Sequence, residues 1–77
     1  MKKVIIYSLP TCPYCRRLKT YLTEKNIEFT DYNVADDNEK AQEMIDKSGQ
    51  MGVPIIDIEG KIIVGFDQEA LERELGL

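Results

Sequence analysis

The sequence predicts an α/β domain in which one mixed four-stranded sheet is flanked by three helices, in the order β-α-β-α-β-β-α. Three observations carry that reading. Val4-Ile5-Ile6-Tyr7 has the β-branched and aromatic composition of a central strand buried on both faces. Between it and the run from Ile55 to Ile58 lie two stretches whose apolar residues recur at helical spacing. A strand, crossover helix and second strand at the start require a parallel pair, whereas Glu59-Gly60 between two short apolar runs is a hairpin signal and requires an antiparallel one. At 77 residues the chain is shorter than a typical domain of ~100–150, so residues 1–77 are expected to form a single unit.

The first strand ends at Ser8-Leu9-Pro10. After Cys12, the positions Tyr14, Cys15, Leu18, Tyr21 and Leu22 share one helical face, with Arg16, Arg17, Lys19 and Thr20 between them. This predicts a helix from residue 13 to about 25. Pro13 suits its first turn, where a missing N–H has no partner to lose, and Asn26 is its stop. Residues 28–34 read as the second strand, but Phe29 falls on odd numbering while Tyr32 and Val34 fall on even, a slip that predicts an edge strand with a bulge. Asp36 or Asp37 caps the second helix, and Asp36 with Glu39 has capping-box spacing. Ala41, Met44 and Ile45 give that helix a buried stripe, and Gly49 ends it. Residues 55–58 and 62–64 are the hairpin strands. Asp67 caps a last helix running to Leu75, with Phe66 and Leu71 at the two positions of a hydrophobic staple.

Composition removes several classes of function. With 43% hydrophobic and 31% charged residues the chain is of globular type, and no apolar run approaches the ~18–20 residues needed to cross a bilayer, so no membrane partner is expected. The net charge of −4 has the wrong sign for a generic nucleic-acid binder. That average conceals an asymmetry: residues 1–25 carry six basic side chains against one acidic, and the remainder four against thirteen. There is no histidine, which excludes imidazole acid–base chemistry and histidine-ligated metals. The glycines fall into no phosphate-cradling spacing. Met1-Lys2-Lys3 is followed by only four apolar residues, fewer than the ~7–15 of a secretory signal, so the expected compartment is the cytoplasm, where thiols stay reduced.

The two cysteines must therefore carry the chemistry. Cys12-Pro13-Tyr14-Cys15 sits between the first strand and the first helix, the setting in which a C-x-x-C motif is specific. At the helix start, unpaired N–H groups and the positive end of the macrodipole favour an anion by up to ~2 kcal/mol, and only a thiolate attacks disulfides. Cys15 lies one turn further in, with Cβ atoms three residues apart separated by ~5–6 Å. The expectation is that Cys12 is an exposed nucleophile and Cys15 a shielded resolving thiol. Arg16, Arg17 and Lys19 are the cations available nearby. An inert or structural pair fits less well, because a helix start after a buried strand leaves one cysteine at the surface. A zinc site wants four ligands where this chain offers two thiols, so it would need two chains; no metal is expected. Gly52-Val53-Pro54 precedes the third strand, and since X-Pro bonds are cis in only ~5–6% of cases, the local sequence favours trans there.

Taken together, Cys-Pro-Tyr-Cys after a first strand, Val53-Pro54 about forty residues later and Gly65 before the last helix resemble the glutaredoxin family of the thioredoxin fold, over essentially the whole chain. The resemblance implies a thioredoxin-like sheet in the order 2-1-3-4 and a cis Val53-Pro54 bond facing the cysteines. It implies a thiol–disulfide oxidoreductase that acts on disulfide-containing proteins and glutathione mixed disulfides, with glutathione as co-substrate, no bound cofactor, and a monomeric state. In that picture the Val53 backbone pairs with the incoming disulfide beside Pro54. Tyr14 lines the groove, Thr11 and Arg16 join the binding set, and Asp67 and Gln68 hold the γ-glutamyl end of glutathione at a helix start that suits a carboxylate. The basic end around Cys12 would attract the anionic tripeptide.

The chain departs from the family pattern in two places. Leu9 stands where many glutaredoxins carry a lysine that meets a glutathione carboxylate, and Gly65-Phe66 replaces a pair of glycines, with the segment after it shortened to Asp67-Gln68. The Gly-Phe pair resembles the small redoxins that donate electrons to ribonucleotide reductase and are recharged by thioredoxin reductase, which makes that reductase the alternative electron source. A third reading, from a different class, is a dimeric iron–sulfur carrier using Cys12 and external thiols, against which the stiffening by Pro13 argues.

Overall fold

The computed structural model describes residues 2–77, and its elements are β1 (Val4–Ser8), α1 (Pro13–Glu24), β2 (Thr30–Asn33), α2 (Asn38–Ser48), β3 (Ile55–Ile58), β4 (Lys61–Val64) and α3 (Gln68–Leu75). The sheet runs β2-β1-β3-β4, with β1 and β2 parallel and the other two pairs antiparallel. This is the thioredoxin-like order 2-1-3-4. The accessible surface of 4920 Å² matches the roughly 4,800 Å² that size scaling gives for a compact chain of 8.8 kDa. None of the described helices is long and apolar enough to cross a membrane.

Alternation along the strands sends successive side chains to opposite faces, and both faces are covered. Val4, Ile6, Ile56, Ile58 and Ile63 pack with Leu18 and Leu22 of α1 and Leu71 of α3. Tyr7 and Ile55 pack on the other face with Met44 of α2, joined by the half-buried Ile5, Tyr32, Val34 and Ile62. β1 can be apolar without a break from Val4 to Tyr7 because both of its faces are covered.

This two-sided burial corrects the reading of β2. Its pairing with β1 runs without interruption from Ile5–Thr30 to Ser8–Asn33, so the strand is at the edge but carries no bulge. Phe29 precedes the strand and packs toward α1 and α3, whereas Tyr32 faces α2. Odd and even positions both find apolar partners, and the apparent slip is ordinary alternation between two cores.

Capping sets the helix starts. Of the two candidates for α2, Asp37 is the cap, accepting the Lys40 N–H at 3.1 Å. Asp36 instead accepts from the Asn33 side-chain amide at 3.2 Å, so the Asp36–Glu39 box does not form. Asp67 caps α3 through the Ala70 N–H at 3.1 Å, and Phe66 joins the cluster that contains Leu71. Gly49 ends α2 in the left-handed conformation, at φ 71°, that glycine adopts without a Cβ penalty.

Candidate active site

The turn from Leu9 to Cys12, closed by the Cys12 N–H donating to the Leu9 carbonyl at 3.2 Å, delivers Cys12 to the start of α1 in an extended conformation. Cys12 is the N-cap. Its Sγ accepts the backbone N–H of Cys15 at 3.3 Å, so the sulfur does what a serine or aspartate oxygen does at other helix starts. Pro13 follows as the first helical residue, with no N–H left to satisfy.

The two thiols are free and unequally placed: Cys12 is half-buried and Cys15 is 0% exposed. Burial pushes the Cys15 thiol up to about 11, reinforced by the adjacent Cys12 sulfur and opposed by the Leu9 backbone and the Lys19 charge. At neutral pH Cys15 is therefore a thiol. Among the three cations considered from sequence, Lys19 is the one whose charge acts on Cys15, and it is itself paired with Asp31 at 2.8 Å. The Arg16 guanidinium turns back to the Pro10 carbonyl at 3.4 Å, and that of Arg17 lies 5.5 Å over the Tyr14 ring.

The segment before β3 closes the other side. The Val53-Pro54 bond is cis, Pro54 is fully buried, and the Val53 carbonyl oxygen lies 4.0 Å from Cys12 Sγ, at the outer limit of an S–H···O contact. The Gly65 N–H donates to the Pro54 carbonyl at 2.8 Å and fixes the segment to the end of β4. Cys12, Cys15, Val53 and Pro54 thus meet in one place. Thr11 and Tyr14 flank Cys12 at the surface, Tyr14 being 58% exposed. Gln68 shares a groove with Arg16 across α1 and α3, while Asp67 is engaged as the α3 cap.

Sequence reasoning did not single out three features near or behind this site. Met51, two residues before Val53, is 79% exposed, a large apolar side chain left at the surface as Tyr14 is. Asp31 joins three elements: it accepts from Ser8 Oγ at 2.6 Å and pairs with Lys19 of α1. Behind the sheet, Lys47 Nζ donates to Tyr7 Oη at 2.9 Å and Asp57 Oδ2 at 2.8 Å, and Tyr7 donates to Glu43. Asp57 was legible as a charge inside an otherwise apolar strand, but its cation comes from another element. Among the described residues, no three His, Cys, Asp or Glu side chains converge as metal ligands would.

The profile of the Glutaredoxin family matches residues 4–63. A glutaredoxin-like 8.6 kDa protein of the rubredoxin operon of Clostridium pasteurianum is 53% identical over 68 residues, which span 88% of this chain and 91% of that protein. Glutaredoxin 3 of Escherichia coli K12 is 40% identical across 100% of this chain and 94% of its own length. Among solved structures, a mutant form of the thioredoxin-like protein BC3987 superposes with a TM-score of 0.91 at 28% identity, covering 99% of this chain and 97% of the other.

Proposed function

The chain belongs to the glutaredoxin family, and from that premise we propose that it is a thiol–disulfide oxidoreductase reducing protein disulfides and glutathione mixed disulfides through Cys12 and Cys15. The inequality of the two sulfurs carries the reading. Cys12 reaches the surface with its Sγ on a helix-start amide, whereas Cys15 is sealed in and protonated. One thiol is placed to meet a substrate and the other to wait.

In the first step the Cys12 thiolate attacks one substrate sulfur, a Cys12–S–S bond forms, the substrate S–S bond breaks, and the departing thiolate takes a proton from solvent. The mixed disulfide then has two exits. A glutathione thiolate can attack the sulfur bound to Cys12, forming a new disulfide with it (glutathione disulfide where that sulfur is glutathione's own) as the bond to Cys12 breaks and the Cys12 thiolate leaves. Alternatively Cys15 loses its proton and attacks Cys12 Sγ, which expels the second substrate thiol and leaves a Cys12–Cys15 disulfide. By the second exit the protein gives two electrons to the substrate, and two glutathiones or a reductase restore them. The Val53 backbone beside Pro54 pairs with the incoming disulfide, and Thr11, Tyr14, Arg16, Asp67 and Gln68 supply the glutathione contacts. The protein works as a monomer in the cytoplasm, on the expectation drawn from its sequence.

A second reading, a redoxin recharged by thioredoxin reductase, is favoured by Leu9, which places no cation before the nucleophile, and by the exposed Tyr14 and Met51, which suit contact with a protein. NADPH-coupled assays with each reductant supplied separately decide between them. Turnover with glutathione and glutathione reductase is the expected result, with Cys12→Ser inactive and Cys15→Ser still reducing glutathione mixed disulfides. Turnover with thioredoxin reductase alone would transfer the protein to the second reading, and equal loss in both variants would remove the single-thiol exit.

A further inference from the structure

Beside the cysteine pair, an open groove of about 400 Å³ runs between α1 and the start of α3. Its floor is apolar, with Tyr21 and Phe66 meeting edge to face at a centroid distance of 5.7 Å. Arg16 and Arg17 form the wall nearest the cysteines, and Glu24 lies toward the C-terminal end of α1. Among the described residues neither guanidinium has a carboxylate within ion-pair range: Arg16 meets a backbone carbonyl, and Arg17 an aromatic ring. Among the described residues Lys19, Lys40 and Lys47 each pair with an acid, and the other basic side chains, Arg16 and Arg17 among them, make no ion pair; what sets these two apart is that they stand at successive positions of α1 and line one groove.

Two neighbouring guanidiniums left without acids, beside an apolar floor, are complementary to a segment that brings carboxylates and an apolar side chain together. The spacing fits a chain tethered at Cys12. Arg16 lies about 6 Å along the helix axis from Cys12 at ~1.5 Å per residue, a span that about two extended residues cover at ~3.3 Å each. We propose that this groove receives an acidic segment flanking the disulfide of a protein substrate, its carboxylates paired with Arg16 and Arg17 and its apolar side chain set on Tyr21 and Phe66. The inference rests on the oxidoreductase reading and names the substrate class for it.

Single-turnover reduction by the pre-reduced full chain isolates docking from electron supply, because the Cys12–Cys15 dithiol provides both electrons and becomes a disulfide as each substrate disulfide becomes two thiols. The probes are hydroxyethyl disulfide, which has no flank, glutathione disulfide, and two disulfide peptides of equal length with Asp-Leu-Glu or Lys-Leu-Lys flanks. Relative to hydroxyethyl disulfide, the acidic peptide should react about tenfold faster than the basic one at low salt, and the advantage should fall below about twofold at 0.5 M salt. Arg17→Glu should invert the preference. If hydroxyethyl disulfide is reduced while the two peptides react alike, or Arg17→Glu leaves their ratio unchanged, the groove assignment is overturned and the oxidoreductase reading stands. If no disulfide is reduced, both fall. A loss in Arg17→Glu confined to glutathione disulfide would assign the arginine to the tripeptide, and a concentration-dependent dimer that the same variant dissolves would assign the groove to a second copy; either overturns the proposal.

Discussion

In a Cys12→Ser variant Cys15 is the only thiol left, and its alkylation by iodoacetamide measures how firmly the interior holds its proton. Cys15 is 0% exposed, and its thiol stands at about 11 against an ordinary value of 9.0, with burial the largest cause and the Cys12 sulfur the second. The variant removes the second cause and keeps the first. A displacement of this size is on the order of 3 kcal/mol and leaves roughly a hundredfold less thiolate at pH 7 than an ordinary cysteine has. Only that thiolate reacts. Even with the Cys12 contribution gone, labelling at pH 7 should be at least about tenfold slower than for a cysteine peptide, rising about tenfold per pH unit up to pH 9. In the companion Cys15→Ser variant the remaining sulfur, Cys12, is half-buried rather than sealed in, and it should be labelled faster at pH 7 than Cys15 is in Cys12→Ser.

The same displacement has a stability consequence of fixed sign. A group whose folded pKa is raised contributes stability that is complete below its unfolded value and is lost as pH rises through the folded one. Urea midpoints of the reduced protein should therefore decline between about pH 9 and pH 11, and those of a Cys15→Ala variant should decline less over that range. A Cys15 labelling profile with its midpoint near ~8.5 and a peptide-like rate at pH 7 would refute the reasoning. The second sulfur would then be no more sheltered than a free cysteine, and the waiting role given to it would lose its structural basis.

Lys47→Met strands Asp57, 7% exposed, with the Gly60 amide as its remaining hydrogen-bond donor. Removing one member of a buried pair costs ~3–5 kcal/mol, which the 33% exposure of the Lys47 side chain reduces to about 2 kcal/mol by urea denaturation at pH 7. Burial alone would raise the Asp57 carboxyl, but Lys47 and the Gly60 amide outweigh it and hold it low, so the pair's contribution is present above about pH 4 and lost below; a pH-independent difference, or one under about 0.5 kcal/mol, would contradict this. Asp67→Ala removes the carboxylate that caps α3 and should cost about 1 kcal/mol, a melting shift of about 4–8 °C that Asp67→Asn largely restores. An unchanged melting temperature in Asp67→Ala would show that the cap contributes little.

The element order was legible because each signal behind it is local. Leu18 and Leu22 mark the buried face of α1, Gly49 and Asp67 mark helix ends, and Glu59-Gly60 marks a hairpin, each within a few residues of what it determines. What escaped is what depends on tertiary cover. Parity misleads at Phe29 and Tyr32 because a sheet covered on both faces forbids neither phase. Asp36 and Asp37 are adjacent and chemically alike, and the choice between them is made by the path of the loop after β2. That Lys47 answers Asp57, or that Val53 lies against Cys12, follows from the sheet order, which local spacing leaves open and the family resemblance supplied. The site is also where a local rule is bent. Asp37 and Asp67 cap α2 and α3 by accepting the N–H three residues on, at 3.1 Å, and in α1 a sulfur takes the same position and the same bond at 3.3 Å. An oxygen acceptor is the ordinary choice there. A sulfur in its place is the weaker cap and the better nucleophile, and under the proposed function that exchange of local stability for reactivity would distinguish Cys12 from a cysteine that merely fills a core.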